Sequence, residues 1–326
     1  MDVLTLAVTL SGVGACFYGL IRVSQAAEAK LDTAWGEAAR KVDGTFKPAE
    51  GSWYARTPRR IEATLDRIDV VADSYVVRHG KGSTAYTRLT VTAVPNSRGF
   101  SLSIDAENVF ASIGKALGAQ DVVVGEPRFD EAFVVKSNAE DMARAWLHGE
   151  VTEGLCPLTD FCFELENGTL RATLRGLLDD GPKLARALRA VAKLAARGRE
   201  LEGEWAEAAS RTGGIVRQSL NFARADLGSF TLSRKGIEVV VAVEREEEAG
   251  LVTTLTAPVA LGRALDDEAQ AKLFEAAGDL PVARFQFGEA SSVLALRGIQ
   301  RDGEALDRLL EAFVELLGER SVGPYR

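Results

Sequence analysis

Three cysteines and two histidines are all that the 326 residues provide. That scarcity excludes a disulfide-stapled scaffold. Cys16 lies in an apolar run, and Cys156 and Cys162 read as thiols of a reducing compartment. His148 would complete a three-ligand set with those two, yet zinc needs a fourth ligand and usually tighter cysteine spacing, so no metal and no cofactor is expected. Basic charge is short as well. Lys and Arg number 39 against 47 Asp and Glu, a net charge of −8, which is not the footprint of a nucleic-acid binder. No G-x-S-x-G, H-E-x-x-H or phosphate-loop pattern occurs, and no catalytic residue is nominated. Arg78-His79-Gly80-Lys81-Gly82 gathers basic groups and glycines, but it falls between two strand patterns and reads as a solvated hairpin tip.

Long hydrophobic runs are absent too, with one exception. Val3 to Ile21 contains no charged residue, and 19 residues as a helix span roughly 28 Å, close to the hydrocarbon thickness of a bilayer. A cleaved signal would carry a basic leading region, and here Met1 is followed by Asp2. Val13-Gly14-Ala15-Cys16 loosely resembles a lipoprotein cleavage box, although the apolar run continues beyond it. A buried helix of a soluble fold is the remaining alternative. The run reads best as an uncleaved anchor, residues 1–22. Arg22, Lys30, Arg40 and Lys41 follow it and no Lys or Arg precedes it, which places the body in the cytoplasm. Ser11, Ala15 and Gly19 share one face of the anchor, the spacing that lets two membrane helices meet in a homo-oligomer or with a partner helix.

Beyond the anchor the pattern predicts an α+β fold made of two tandem, diverged units, 23–200 and 201–326, each a mostly antiparallel sheet with a C-terminal helix. Trp35, Glu37, Ala38, Ala39 and Gly44 recur as Trp205, Glu207, Ala208, Ala209 and Gly214. Leu174-Arg175-Gly176, Asp180-Gly181 and Leu184 recur as Leu296-Arg297-Gly298, Asp302-Gly303 and Leu306, and Phe163 matches Phe285. Helices are expected over 31–42 and 201–211, with strands over 61–77, 85–94, 228–243 and 251–259. The first unit adds a helix over 108–117, strands over 121–124 and 132–135, and a helix opened by Ser137-Asn138-Ala139-Glu140. A hairpin turning at Asn167-Gly168 and a helix over 182–197 close it; strands at 284–288 and 291–297 and a helix over 303–318 close the second. Asp179-Asp180, Asp266-Asp267 and Asp302 precede expected helices, where they cap and complement the helix dipole.

Helix 182–197 carries Lys183, Arg186, Arg189, Lys193 and Arg197, candidates for contact with anionic lipid. The equivalent helix 303–318 is acidic at Glu304, Asp307, Glu311 and Glu315, so opposite charges would instead help two units or two chains dock.

Gly125-Glu126-Pro127-Arg128-Phe129-Asp130-Glu131-Ala132-Phe133-Val134-Val135 resembles a G-D-P-x-F-D-x-x-F-V-V segment of uncharacterised bacterial membrane-anchored proteins, over about residues 95–200. Glu126 replaces the usual aspartate. The resemblance implies a bacterial inner-membrane protein and carries no catalytic residue. The expected function is a membrane-anchored, non-catalytic binding or scaffolding protein. The alternatives are a lipid- or small-ligand-binding tandem domain at the membrane surface, or a hydrolase or transferase that uses carboxylates.

Overall fold

The computed structural model describes residues 25–51, 57–80, 82–97, 99–106, 122–221, 227–246, 250–259, 267–287 and 290–321. Val3–Ile21, with Ser11, Ala15 and Gly19, and the helix expected over 108–117 lie outside them. Among the described residues no helix is long and apolar enough to cross a membrane.

The fold is α+β, with two antiparallel sheets and seven described helices. Residues 25–41 form helix α1. Strands β1 (Thr45–Lys47), β2 (Arg60–Leu65), β3 (Ile68–His79), β4 (Gly82–Val91) and β5 (Leu102–Ala106) follow. Next come α2 (Pro127–Ala132), β6 (Phe133–Ser137), α3 (Glu140–Trp146) and α4 (Glu150–Leu155), then hairpin β7 (Phe161–Glu166) and β8 (Thr169–Arg175). Helix α5 (Gly181–Arg211) leads into β9 (Ile215–Gln218), β10 (Gly228–Arg234), β11 (Ile237–Glu246) and β12 (Gly250–Ala257). The chain closes with α6 (Asp267–Ala277), β13 (Val282–Phe287), β14 (Ser292–Arg297) and α7 (Gly303–Ser321).

The first sheet has the order β1-β2-β3-β4-β8-β7-β5-β6 and the second β13-β14-β12-β11-β10-β9. Read from β9, the second order is β9-β10-β11-β12-β14-β13. It follows the first six strands of the first sheet, position by position. By compactness the chain divides into residues 1–92, 160–162 and 171–193, and residues 93–159, 163–170 and 194–326.

Within the first of these units, period-2 alternation makes the strands: Ile68, Val70 and Ala72 turn inward, and so do Leu89 and Val91. Helix α1 buries Trp35, Ala38 and Ala39 at the i, i+3, i+4 spacing of one helical face. Within the second, β11 alternates Val239, Val241 and Val243 inward, and α7 buries Leu306, Leu309, Leu310, Phe313, Val314 and Leu317. Helix α6 packs on α7.

The same local device recurs in each. Thr87 Oγ1 donates to Gly176 O at 3.0 Å and accepts Leu178 N at 2.9 Å. Thr253 Oγ1 donates to Gly298 O at 2.8 Å and accepts Gln300 N at 3.0 Å. Both threonines are wholly buried, so each hydroxyl satisfies backbone groups that would otherwise be orphaned. The following helix is capped alike: Asp180 accepts Lys183 N, and Asp302 accepts Glu304 N and Ala305 N.

Several expectations differ from the structure. Residues 122–124 form no strand, although Val122 N donates to Val135 O, and a turn at Lys235-Gly236, both at positive φ, divides 228–243 into β10 and β11. Residues 182–197 and 201–211 belong to one helix, α5, rather than two. Gly198 does not break it. A Cβ there would meet Trp146 Cη2 at 2.7 Å and strike Pro95 O, so the glycine serves a close approach. Ser137 caps no helix. Its hydroxyl accepts Ala139 N and donates to Ser101 O, finishing β6, and α3 starts without a side-chain cap. The stretch 61–77 holds a turn at Asp66-Arg67, both at positive φ (50° and 63°), which divides β2 from β3.

Candidate functional site

The five basic residues of α5 do not form one solvated face. Arg186 and Arg189 are exposed, and Arg189 donates to Lys41 O. Lys183 reaches Asp160 at 2.6 Å, and Lys193 is half-buried. Arg197 is 5% exposed. It donates to Glu204 at 2.7 Å, Glu200 at 3.2 Å and Ala145 O at 3.2 Å. Helical spacing alone put Arg197 among the solvated bases; the acids three and seven residues ahead of it were the available signal. Arg301 approaches Glu204 from the loop before α7, also at 2.7 Å. Burial pushes the Glu204 carboxyl up, but the hydrogen bonds from Arg197 and Arg301 outweigh it and hold the group below its ordinary value.

The Gly125–Val135 segment is built for local order. Gly125 takes a positive φ of 95°. Pro127 opens α2, where a missing N–H costs nothing. Asp130 turns back to accept Val124 N at 3.0 Å and Gly125 N at 2.8 Å. Phe129 and Phe133 are buried with ring centroids 5.0 Å apart, and Phe133 begins the strand that pairs with β5. Sequence reasoning anticipated the two aromatics and missed Asp130, whose role depends on chain reversal.

His148 lies 3.8 Å from Glu126 and is 62% exposed. Burial raises the Cys156 thiol above its ordinary value, which disfavours a thiolate. No group of three or more His, Cys, Asp or Glu side chains arranged to hold a metal occurs among the described residues. His79 sits at the exposed end of the β3–β4 hairpin, opposite Gly82.

Several large apolar side chains stand exposed, Val76 and Val123 among them. Phe274 on α6 is 52% exposed, and its ring meets that of Phe285 on β13 edge-on at 5.5 Å. Strand β9 at the opposite end of the same sheet shows Ile215 and Val216 to solvent. The acidic pair Asp266-Asp267 announces a helix in the sequence, and α6 begins at Asp267. The available signal is the adjacent pair Leu273-Phe274: a helix with Leu273 in the core turns its neighbour away from it.

No family model, no curated protein and no solved structure matches this chain.

Proposed function

We propose that the chain is a single-pass protein of the bacterial inner membrane, with a cytoplasmic body that binds or scaffolds a partner protein and is not a catalyst. The charge-free stretch Val3–Ile21 carries the placement, and the basic residues after it carry the sidedness. The Gly125–Val135 segment, through its resemblance to bacterial membrane-anchored proteins, supports the same setting.

In this reading the body is two diverged copies of one α+β unit in tandem, 23–200 and 201–326. Three correspondences support it: the shared strand order, the paired threonine bridges, and helix caps at Asp180 and Asp302. Duplication followed by divergence leaves the frame in place and frees the surface for recognition. The two most buried charged groups, Arg59 and Arg197, are held in ion pairs with Glu28 and Asp32 and with Glu200 and Glu204. Exposed Phe274 and β9 then supply apolar surface of the kind that marks protein contacts.

Alkaline washing of membranes tests the placement. The chain should stay in the pellet, and Leu10→Arg with Val13→Arg should move it to the supernatant. Release of the unaltered chain by the wash would overturn it.

A further inference from the structure

We propose that the outer face of β3, β4 and β8 docks an acidic segment of a partner protein, held by Arg171 and Arg175 beside the stacked Tyr75 and Tyr86. The inference rests on the binding-module reading and assigns it a recognition surface within the first unit.

Strand alternation builds this face. Val70, Ala72, Leu89, Val91, Ala172 and Leu174 turn to the core, so Tyr75, Tyr86, Arg88, Arg171 and Arg175 stand on the opposite side. Tyr75 lies across from Tyr86 in the β3–β4 pair, and their rings stack with centroids 5.1 Å apart. Strand β8 is the next neighbour of β4, and Gly176 N donates to Ala85 O at 2.8 Å, which sets Arg175 beside Tyr86. Tyrosine and arginine are the residue types that most often carry protein contacts.

Charge selects the occupant. Arg171 and Arg175 are exposed, and neither guanidinium has a partner among the described residues. The acids on this face of the three strands are already engaged. Asp73 accepts from Arg88 twice, at 3.0 and 2.7 Å, and Asp69 accepts the Thr64 hydroxyl at 2.6 Å. Two guanidinium forks are thus left uncompensated, and such a fork matches a carboxylate through two parallel hydrogen bonds. A nucleic acid fits less well. Tyr75 already stacks on Tyr86 and carries the Arg88 guanidinium over its ring, 4.8 Å from the centroid, so that ring is engaged rather than open to a base. The net charge of −8 also opposes a phosphate backbone.

A fluorescent peptide of repeating Glu-Glu-Leu, titrated into the full-length chain, is a direct probe. Saturable binding is expected, weakened about ten-fold by Arg171→Glu with Arg175→Glu. Both changes fall at exposed positions and should leave the unfolding midpoint in place. Salt at roughly 0.5 M should weaken binding several-fold. Arg186→Glu, at an exposed base of α5 in the same unit, should leave binding unchanged. The assignment is overturned if the peptide fails to bind, if the double variant binds it as the parent does, or if Arg186→Glu weakens it as much. It is also overturned if a single-stranded oligouridylate displaces the peptide at lower concentration than unlabelled peptide does, or if sedimentation shows a dimer that the double variant abolishes. Such a failure leaves the binding-module reading standing. That reading falls separately, if alkaline washing releases the unaltered chain.

Discussion

The two sheets share a strand order and differ at one margin. Past β7 the first sheet continues into β5 and β6, whereas β13, in the same position, is the last described strand of the second. The helix–loop contacts differ as well. Before α5 the loop carries Asp179, which pairs with Lys30 of α1; before α7 it carries Arg301, which pairs with Glu204 of α5. The charges are exchanged, and on the helix the partner lies one turn further along, since Glu204 stands at the place of Ala34. Buried frame positions such as Thr87 and Thr253 tolerate little change, because each hydroxyl answers two backbone groups. Edges and rims carry the difference.

The largest expected effect concerns Gly198, where α5 comes closest to its neighbours. Gly198→Ala drives a methyl group into Pro95 O and the Trp146 ring and should cost about 3 kcal/mol in urea unfolding. Nothing lies within 4 Å of a Cβ at Gly203, so Gly203→Ala in the same helix should stabilise by roughly 0.5–1 kcal/mol. Equal effects of the two would break the account of α5 as one continuous helix held by close packing.

Thr87→Val and Thr253→Val sharpen the comparison between the two sheets. Each removes one donor and one acceptor from a buried site, and each should cost about 2 kcal/mol. A cost at one position alone would contradict their equivalence.

The matched tryptophans should behave differently. Trp35 Nε1 donates to Leu178 O at 3.0 Å, while Trp205 Nε1, equally buried, has no hydrogen-bond partner among the described residues. Both Phe replacements lose indole volume, but only Trp35→Phe also orphans a carbonyl. Its cost should exceed that of Trp205→Phe by about 1–2 kcal/mol in the same unfolding assay.

A smaller effect follows from Glu204. Its folded value lies below the ordinary 4.5, so its ionised form stabilises the fold above that pH, and this contribution fades as pH falls through the lowered value. Glu204→Gln should flatten the acid limb of a stability profile. Lys30→Ala, at an exposed pair, should leave the neutral-pH unfolding midpoint unchanged.

Much of this frame was legible because its signals are local. Asn167-Gly168 takes the positive φ values of a two-residue hairpin turn, and Asp180 and Asp302 cap the helices they precede. What escaped depends on distant partners. Gly198 looks like a helix break until Pro95 is seen against it. Arg197 looks solvated until Ala145 O and Glu204 close around it. Asp66-Arg67 lacks the Gly or Asn that announces such a turn, and the pairing of β2 with β3 imposes it. Nor does any local pattern show that β5 covers β7.

Amide hydrogen exchange on β8 and β14 in the full-length chain tests the shared strand order most directly. Each is flanked by strands on both sides in its sheet, so the account predicts slow exchange along both. Fast exchange along either one, with its flanking strands protected, would contradict it.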